Sequence, residues 1–443
     1  MSLFIVGMDN TIVNVALPSI QRDFGAGVSE LQWVVDAYLL VLAALLIFSG
    51  SLGDRFGRAR VFRFGLVLFA LASLSCGLAP NTAVLVACRG LQGIGGSMLN
   101  PVALSIIRET FENPRRRAQA IGVWGGVIGI SMGIGPVLGG FLVRFVTWRA
   151  VFFINVPVAL AAIVLTVLFV PDSRAAHSRR ADPVGQLLVL VCLVGLTFGV
   201  IEAPGRGWAS PVILGAFAVS LACGAGLVGW ELRRREPLIE MRIFRSPEFS
   251  AATSIAVLAF YVLGGYMFLL TLYLQDTRHY DALQAGLFLL PNALVMLFAA
   301  PLSGRLVGSL GPRPSLLAGG ISLTLAALML TRLQVATADW WILVAGALVG
   351  IGSGAVNAPI TNTAVSGLPA AQAGVAAAIA SASRQVGSVL GVAVAGMLAT
   401  NTTHALGTDV GAWLTLVACG LAIIAVTLAT SGAHGQAGAA ARA

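Results

Sequence analysis

The chain of 443 residues contains no lysine, and only 10% of its residues are charged. A water-soluble protein of this length needs far more ionic surface. The five cysteines (Cys76, Cys88, Cys192, Cys223, Cys419) all lie inside apolar runs, and none forms a close pair. Neither a disulfide framework nor a zinc site is indicated. The four histidines, His177, His279, His404 and His434, fall in expected loops or in the tail. A phosphate loop of the G-x-x-x-x-G-K type is also missing. These gaps argue against an enzyme: no catalytic residue, metal cluster or cofactor site is legible, and direct ATP drive within these residues is not expected. The first apolar run lacks a basic flank and a small-residue cleavage site, so it does not read as a signal peptide.

What is abundant is hydrocarbon. Apolar residues make up 58% of the chain, and its mean hydropathy is +0.91. Runs of about 20 apolar residues recur throughout, each long enough to cross roughly 30 Å of bilayer. They predict an all-α polytopic membrane protein with 14 transmembrane helices, at roughly 1–20, 31–50, 61–79, 83–107, 118–142, 150–170, 185–204, 211–230, 250–274, 283–304, 314–331, 340–358, 374–399 and 410–430. The net charge of +9 rests on arginine alone. Gaps after even-numbered spans hold Arg55, Arg58, Arg60, Arg108, Arg115 to Arg117, Arg174, Arg179, Arg180, Arg233 to Arg235, Arg242, Arg245, Arg305 and Arg313. Opposite gaps hold only Arg22, Arg144, Arg149, Arg206, Arg278 and Arg332. This bias reads as membrane topology and not as a nucleic-acid surface; it puts both termini in the cytoplasm of an inner (cytoplasmic) cell membrane. Trp33, Trp148, Trp208, Trp340, Trp341 and Trp413 fall near the outer span ends, as interfacial anchors do.

The chain also repeats itself. "GIGGSMLNP" (Gly93 to Pro101) returns as "GIGSGAVNAP" (Gly350 to Pro359), which carries Asn357. "SELQ" (Ser29 to Gln32) returns as "DALQ" (Asp281 to Gln284), both expected helix starts with a capping side chain. "GSLGDRFGRAR" (Gly50 to Arg60) returns, worn, as "GRLVGSLGPR" (Gly304 to Arg313). Spans one to six therefore match spans nine to fourteen. An even number of spans per half makes the halves parallel, related by a pseudo-twofold along the membrane normal, and transporters bind substrate where such repeats meet. Four segments are expected: a six-helix bundle over 1–170, an inserted helix pair with its linkers over 171–249, a second six-helix bundle over 250–430 and a short cytoplasmic tail over 431–443.

A few polar residues stand inside the apolar runs. Asp9 and Arg89 have no charged counterpart in the second half, where the matching positions are near Leu263 and Gly346. A carboxyl group in low dielectric favours its neutral form, which makes Asp9 a candidate reversible proton carrier. It also reads as a polar strut bonded to Asn10, Thr11 or Asn14. Arg89 costs about 2.5–3.5 kcal/mol well inside a span; it either finds an interior partner or reaches the outer headgroups. Arg384 in "SRQVG" reads as structural pairing or as part of a pathway, and Asp36 as lining an outer vestibule or the interface. Asn14, Asp36, Asn357 and Arg384 are the candidate cavity residues. Glu202 reads as interfacial, while Asp339 and Asp409 read as helix starts.

Four stretches taken in order resemble one family. "GSLGDRFGRAR" is similar to the signature loop of the major facilitator superfamily, and "RGLQGIGGS" (Arg89 to Ser97) to its fourth-span motif. "GVWGGVIGISMGIGPVLGG" (Gly122 to Gly140) resembles the fifth-span motif associated with antiporters, with Ser131 where that pattern has glycine. "MDNTIVNVALP" resembles the first-span motif of fourteen-span drug:proton antiporters, the EmrB/QacA-like family. The resemblance implies the major facilitator fold, with two six-helix bundles and two inserted helices. It implies proton-coupled efflux of lipophilic, often cationic, drugs or antibiotics by alternating access. Asp9 and Arg89 would then serve proton coupling. Partners would be protons, a small lipophilic substrate and the bilayer, with any accessory export partner open. A same-fold carrier of one metabolite and a non-transporting sensor are the alternatives.

The loop motif has its own logic. Gly50, Asp54 and Arg58 are spaced by four, which predicts one shared helix face. Gly50 and Gly57 permit close backbone approach, and Asp54 is expected at a helix N-terminus. With Arg55, these residues would latch the two halves on the cytoplasmic side. In the fifth-span motif, Gly122, Gly135, Gly139 and Gly140 let helices touch closely, and Pro136 adds a bend. Whether that motif serves packing alone or antiport is open from the sequence.

Overall fold

The structure, a computed structural model, describes residues 1–110, 113–173, 182–234, 237–365, 370–400 and 407–440. Among the described residues every regular element is helical. Eleven helices among the described residues are long and apolar enough to cross a membrane. This is a multi-pass membrane protein. Large apolar side chains such as Phe169, Leu221 and Phe298 lie exposed on the helices, where the solvent is lipid tail and not water.

The chain divides into two compact units. The first comprises Met1–Leu238 and Leu270–Leu290. It holds α1 (Ser2–Phe24), α2 (Val28–Phe56), α3 (Arg58–Gly77), α4 (Thr82–Ser97), α5 (Leu99–Thr110) and α6 (Pro114–Phe145). Next come α7 (Ala150–Phe153), α8 (Asn155–Phe169), α9 (Pro183–Arg206) and α10 (Pro211–Arg233). The second comprises Ile239–Leu269 and Pro291–Ala443. Its helices are α11 (Pro247–Leu272) and α12 (Ala282–Leu310), each of which gives one end to the first unit, then α13 (Pro312–Leu330), α14 (Asp339–Val365), α15 (Ala370–Thr400) and α16 (Val410–Ala440). The last helix continues through residues 431–440, where a tail is expected.

Two breaks in the first unit have a common cause. Pro101 has no N–H and crowds the carbonyl four residues earlier, that of Ser97; α4 ends there and α5 starts at Leu99. Pro157 does the same to Phe153, so α7 ends and α8 begins at Asn155. Each break turns a polar side chain next to it, Ser97 and Asn155, into buried space.

The helix starts refine the expected caps. Asp281 and Gln284 form a reciprocal cap: Gln284 N–H donates to Asp281 Oδ1 (2.9 Å) and Asp281 N–H to Gln284 Oε1 (3.0 Å). Ser29 is not a cap. The helix opens earlier, and Gly27 N–H donates to Glu30 Oε2 (2.8 Å). Asp409 caps α16 through Ala412 N–H (2.8 Å), and Asp339 is the first residue of α14.

Within the first unit, the α9–α10 pair packs beside α2. Gln186 of α9 donates to the Ala44 carbonyl of α2 (2.8 Å), and Trp33 donates to Glu202 (3.1 Å). Asp182 ties α9 to α10: it accepts from Gly185 N–H (3.0 Å) and Trp230 (3.0 Å) and pairs with Arg234 (3.1 Å). Burial alone would favour the neutral Asp182 carboxyl. The bonds from Arg234, Gly185 and Trp230 outweigh it and hold Asp182 below the usual carboxylate range.

Candidate functional site

The site is a closed polar network in an apolar unit. Asp9 of α1 and Arg89 of α4 are 0% and 1% exposed and form an ion pair at 2.5 Å. Asp9 Oδ1 also accepts from Gln92 Nε2 (2.9 Å) and Asn155 Nδ2 (3.0 Å). Arg89 Nε donates to the Val34 carbonyl of α2 (2.9 Å), and Arg89 also donates to Gln92 Oε1 (2.8 Å). Its guanidinium lies 4.3 Å from the centre of the Tyr38 ring, and Phe152 is at 5.8 Å. Ser73 of α3 joins the network, accepting from Asn155 (3.0 Å) and donating to the Phe152 carbonyl (2.9 Å).

Local sequence explains the convergence. Arg89 and Gln92 are three apart on α4 and so share a face. Asn155 is aimed inward by the Pro157 break. α1 is pressed against α6 because Gly135 and Gly139 have no side chains: a Cβ at Gly135 would meet Thr11 Oγ1 at 2.0 Å, and one at Gly139 the Ile12 carbonyl at 2.9 Å. The antiporter-like motif thus supplies packing that positions the Asp9 helix. Gly140 faces the start of α12 instead, with a Cβ there 2.4 Å from the Ala282 carbonyl, and the Pro136 carbonyl meets Gly286. For Gly122 only its place in α6 is described.

The strut expectation for Asp9 named the wrong partners. Thr11 donates to the Met8 carbonyl (3.2 Å) and Asn14 to the Asn10 carbonyl (3.1 Å). In a helix such side chains turn back on their own backbone, while Asp9 points at α4 and α8. Arg89 reaches no headgroup; its charge is spent inside. Asp36 lies on α2, fully buried, with no hydrogen-bond partner for either oxygen among the described residues. Asn14 is buried as well, 4% exposed. Asn357 and Arg384 belong to the second unit.

At the loop motif the helix does not run through. Asp54 is in the last turn of α2, not at an N-terminus, and Gly57 breaks the chain with φ 108°. A Cβ at Gly57 would lie 2.5 Å from Asp172. Arg58, at the start of α3, bonds Asp54 (2.9 Å) and Glu109 of α5. Arg60 pairs with Asp172 (2.8 Å), and Ser173 bonds Glu109 (2.7 Å). Arg55 is exposed over the Phe56 ring. Gly50 makes only ordinary contact with Pro101, whereas Gly53, unnoticed in the sequence, is the closer approach, to Val102 at 3.0 Å. These partners all lie in the first unit.

Sequence reasoning missed Gln92, Asn155 and Ser73. Gln92 was signalled by its spacing from Arg89. Asn155 was signalled as an amide in an apolar run two residues before a proline. Ser73 carried no signal.

Comparison with known proteins adds an independent line. Residues 1–392 match the family model of the Major Facilitator Superfamily. The tetracenomycin C resistance and export protein of Streptomyces glaucescens is 39% identical, over 89% of this chain and 74% of its own. The multidrug resistance protein Stp of Mycobacterium tuberculosis is 37% identical, over 94% of this chain and 75% of its own. The methylenomycin A resistance protein of Streptomyces coelicolor is 34% identical, over 94% and 87%.

Proposed function

The chain belongs to the major facilitator superfamily and is a drug efflux transporter, and we propose that it is a proton antiporter in which Asp9 carries the proton and Arg89 reads its charge. The buried Asp9–Arg89 pair supports this reading. Ionised, Asp9 holds α1 to α4 and α8 through Arg89, Gln92 and Asn155. A proton on Asp9 cancels the charge that Arg89 is buried against, and the carboxyl then has one fewer lone-pair site for its three donors. The α1–α4 attachment weakens, and the unit exchanges one stable arrangement for another, as alternating access requires. Inward proton movement supplies about 2.3 kcal/mol per charge per 100 mV of membrane potential, which drives outward export.

The transporter crosses the membrane fourteen times with both termini in the cytoplasm. α1, the α4–α5 pair and α6 make three crossings besides the eleven apolar helices. Its repeats span 1–170 and 250–430, with the pair over 171–249 inserted between them and residues 431–443 extending past the last crossing. Arg55, Arg58 and the glycines of their loop serve the cytoplasmic gate. The substrate is lipophilic. Since Asp9 is sealed from its surroundings, it acts on substrate through the helices it holds.

The test is a resistance profile in a pump-deficient host. Wild type raises tolerance to a set of drugs and loses that protection with an uncoupler; Asp9→Asn gives none at equal expression. Full resistance from Asp9→Asn, or from uncoupled cells, refutes proton carriage by Asp9.

A further inference from the structure

The second unit holds a charge of its own. Arg384 stands in the middle of α15, part-buried, and its guanidinium crosses to α14, where it donates to Thr361 Oγ1 (2.5 Å). One more bond, to Ser381 Oγ of its own helix, is long at 3.4 Å. Phe260 of α11 lies 5.9 Å from the guanidinium. The position is held by backbone contact: Cβ atoms at Gly387 and Gly391 would come within 2.2 Å of the Val257 and Tyr261 carbonyls.

The electrostatics are unbalanced. The acids of this unit are Glu240, Glu248, Asp339 and Asp409, and all stand at helix ends or in loops. Among the described residues no carboxylate pairs with Arg384, and its Nε has no acceptor. A guanidinium offers five N–H groups in a planar fork suited to a carboxylate; two neutral hydroxyls use part of that capacity. An arginine inside a span is costly, and here no acid of the same unit offsets it. In the first unit Arg89 is offset completely by Asp9. Around Arg384 the lining has parts that an amphiphilic anion can use: Thr361 is exposed and its hydroxyl donates to the Asn357 carbonyl one turn before it on α14 (3.2 Å), and Phe260 supplies an aromatic wall.

We propose that Arg384, with Thr361 and Asn357, forms an oxyanion-recognition site in the second unit, and that the transporter takes lipophilic acids, molecules with an aromatic body and a carboxylate or ionised phenol. The acid fills the fork that the protein leaves open, and its apolar body lies against Phe260. This names a substrate class for the export reading above and rests on it.

The experiment uses the full chain in lipid nanodiscs, with equilibrium dialysis against empty nanodiscs to subtract partition into lipid. The probes are anthracene-9-carboxylate and its methyl ester, which share the ring and differ in charge. Wild type is expected to bind the carboxylate about tenfold more tightly than the ester, the scale of a charge-assisted bond. Arg384→Gln is expected to erase that gap, and Arg384→Lys, which keeps the charge and loses the fork, to retain part of it. Equal binding of acid and ester by wild type overturns the proposal without any variant, and so does a gap that survives in Arg384→Gln. If the gap is absent while the resistance profile persists, drug export stands and the acid site falls. If the gap depends on Arg384 while no drug is exported, the site stands and the export reading falls.

Discussion

Arg89 is the residue whose energetics are most exposed to test. Removing one member of a buried ion pair leaves the other charged and unsolvated, at a cost of about 3–5 kcal/mol. Asp9→Asn and Arg89→Gln are therefore each expected to lower the unfolding midpoint of the purified protein. The double variant is expected to lose less than the sum of the two, because the second change removes the stranded charge. Strictly additive losses in thermal unfolding would mean that the pair does not couple. Asn155→Ala takes one donor from Asp9 and one from Ser73. A loss of roughly 1–3 kcal/mol is expected, with weaker drug resistance at equal expression. Unchanged stability and resistance would remove Asn155 from the network. The two charges of this site were legible as intruders in apolar runs. Their pairing was not, because Asp9 and Arg89 are far apart in the chain and periodicity relates only near neighbours.

At the level of elements, α6 and the α9–α10 pair carry the clearest expectations. Gly139→Leu puts a side chain where the α1 backbone lies. Overpacking of this kind costs about 1–3 kcal/mol or more, so the variant is expected to yield little monodisperse protein in size-exclusion chromatography. A normal elution profile would show that α1 and α6 need no such closeness. Asp182 gives a pH dependence. Its folded carboxyl is held below the unfolded value of about 4, so its contribution is full above that value and is lost as pH falls through the folded one. Wild type is expected to exceed Asp182→Asn in thermal stability at neutral pH and to converge with it in strong acid. A difference that does not shrink on acidification would contradict the ionised joint. The glycine motif of α6 was plain in the sequence, yet its partner helix was not: small residues announce a close approach without saying to what. The loop motif misled because its spacing of four suggested one helix, whereas Gly57 breaks the chain between Asp54 and Arg58.

For the whole molecule, the arginine bias sets an orientation that chemistry can read from either side. Ser309, in the last turn of α12, and Val335, between α13 and α14, are both exposed. In a background without the five native cysteines, Ser309→Cys is expected to react with an impermeant maleimide only from the cytoplasmic side, and Val335→Cys only from outside. The reverse pattern would invert the topology. Composition, the recurrence of apolar runs and the scatter of arginine already determine that this is a multi-pass helical membrane protein, because burial in lipid constrains every residue of a span and leaves its mark in each one. Which buried groups meet, by contrast, depends on a few contacts between distant helices. Asp9 with Arg89 and Asn155, Gly139 with Ile12, and Arg384 with Thr361 were decided only when the helices packed, since a side chain finds its partner through the angle and depth of the helix that carries it.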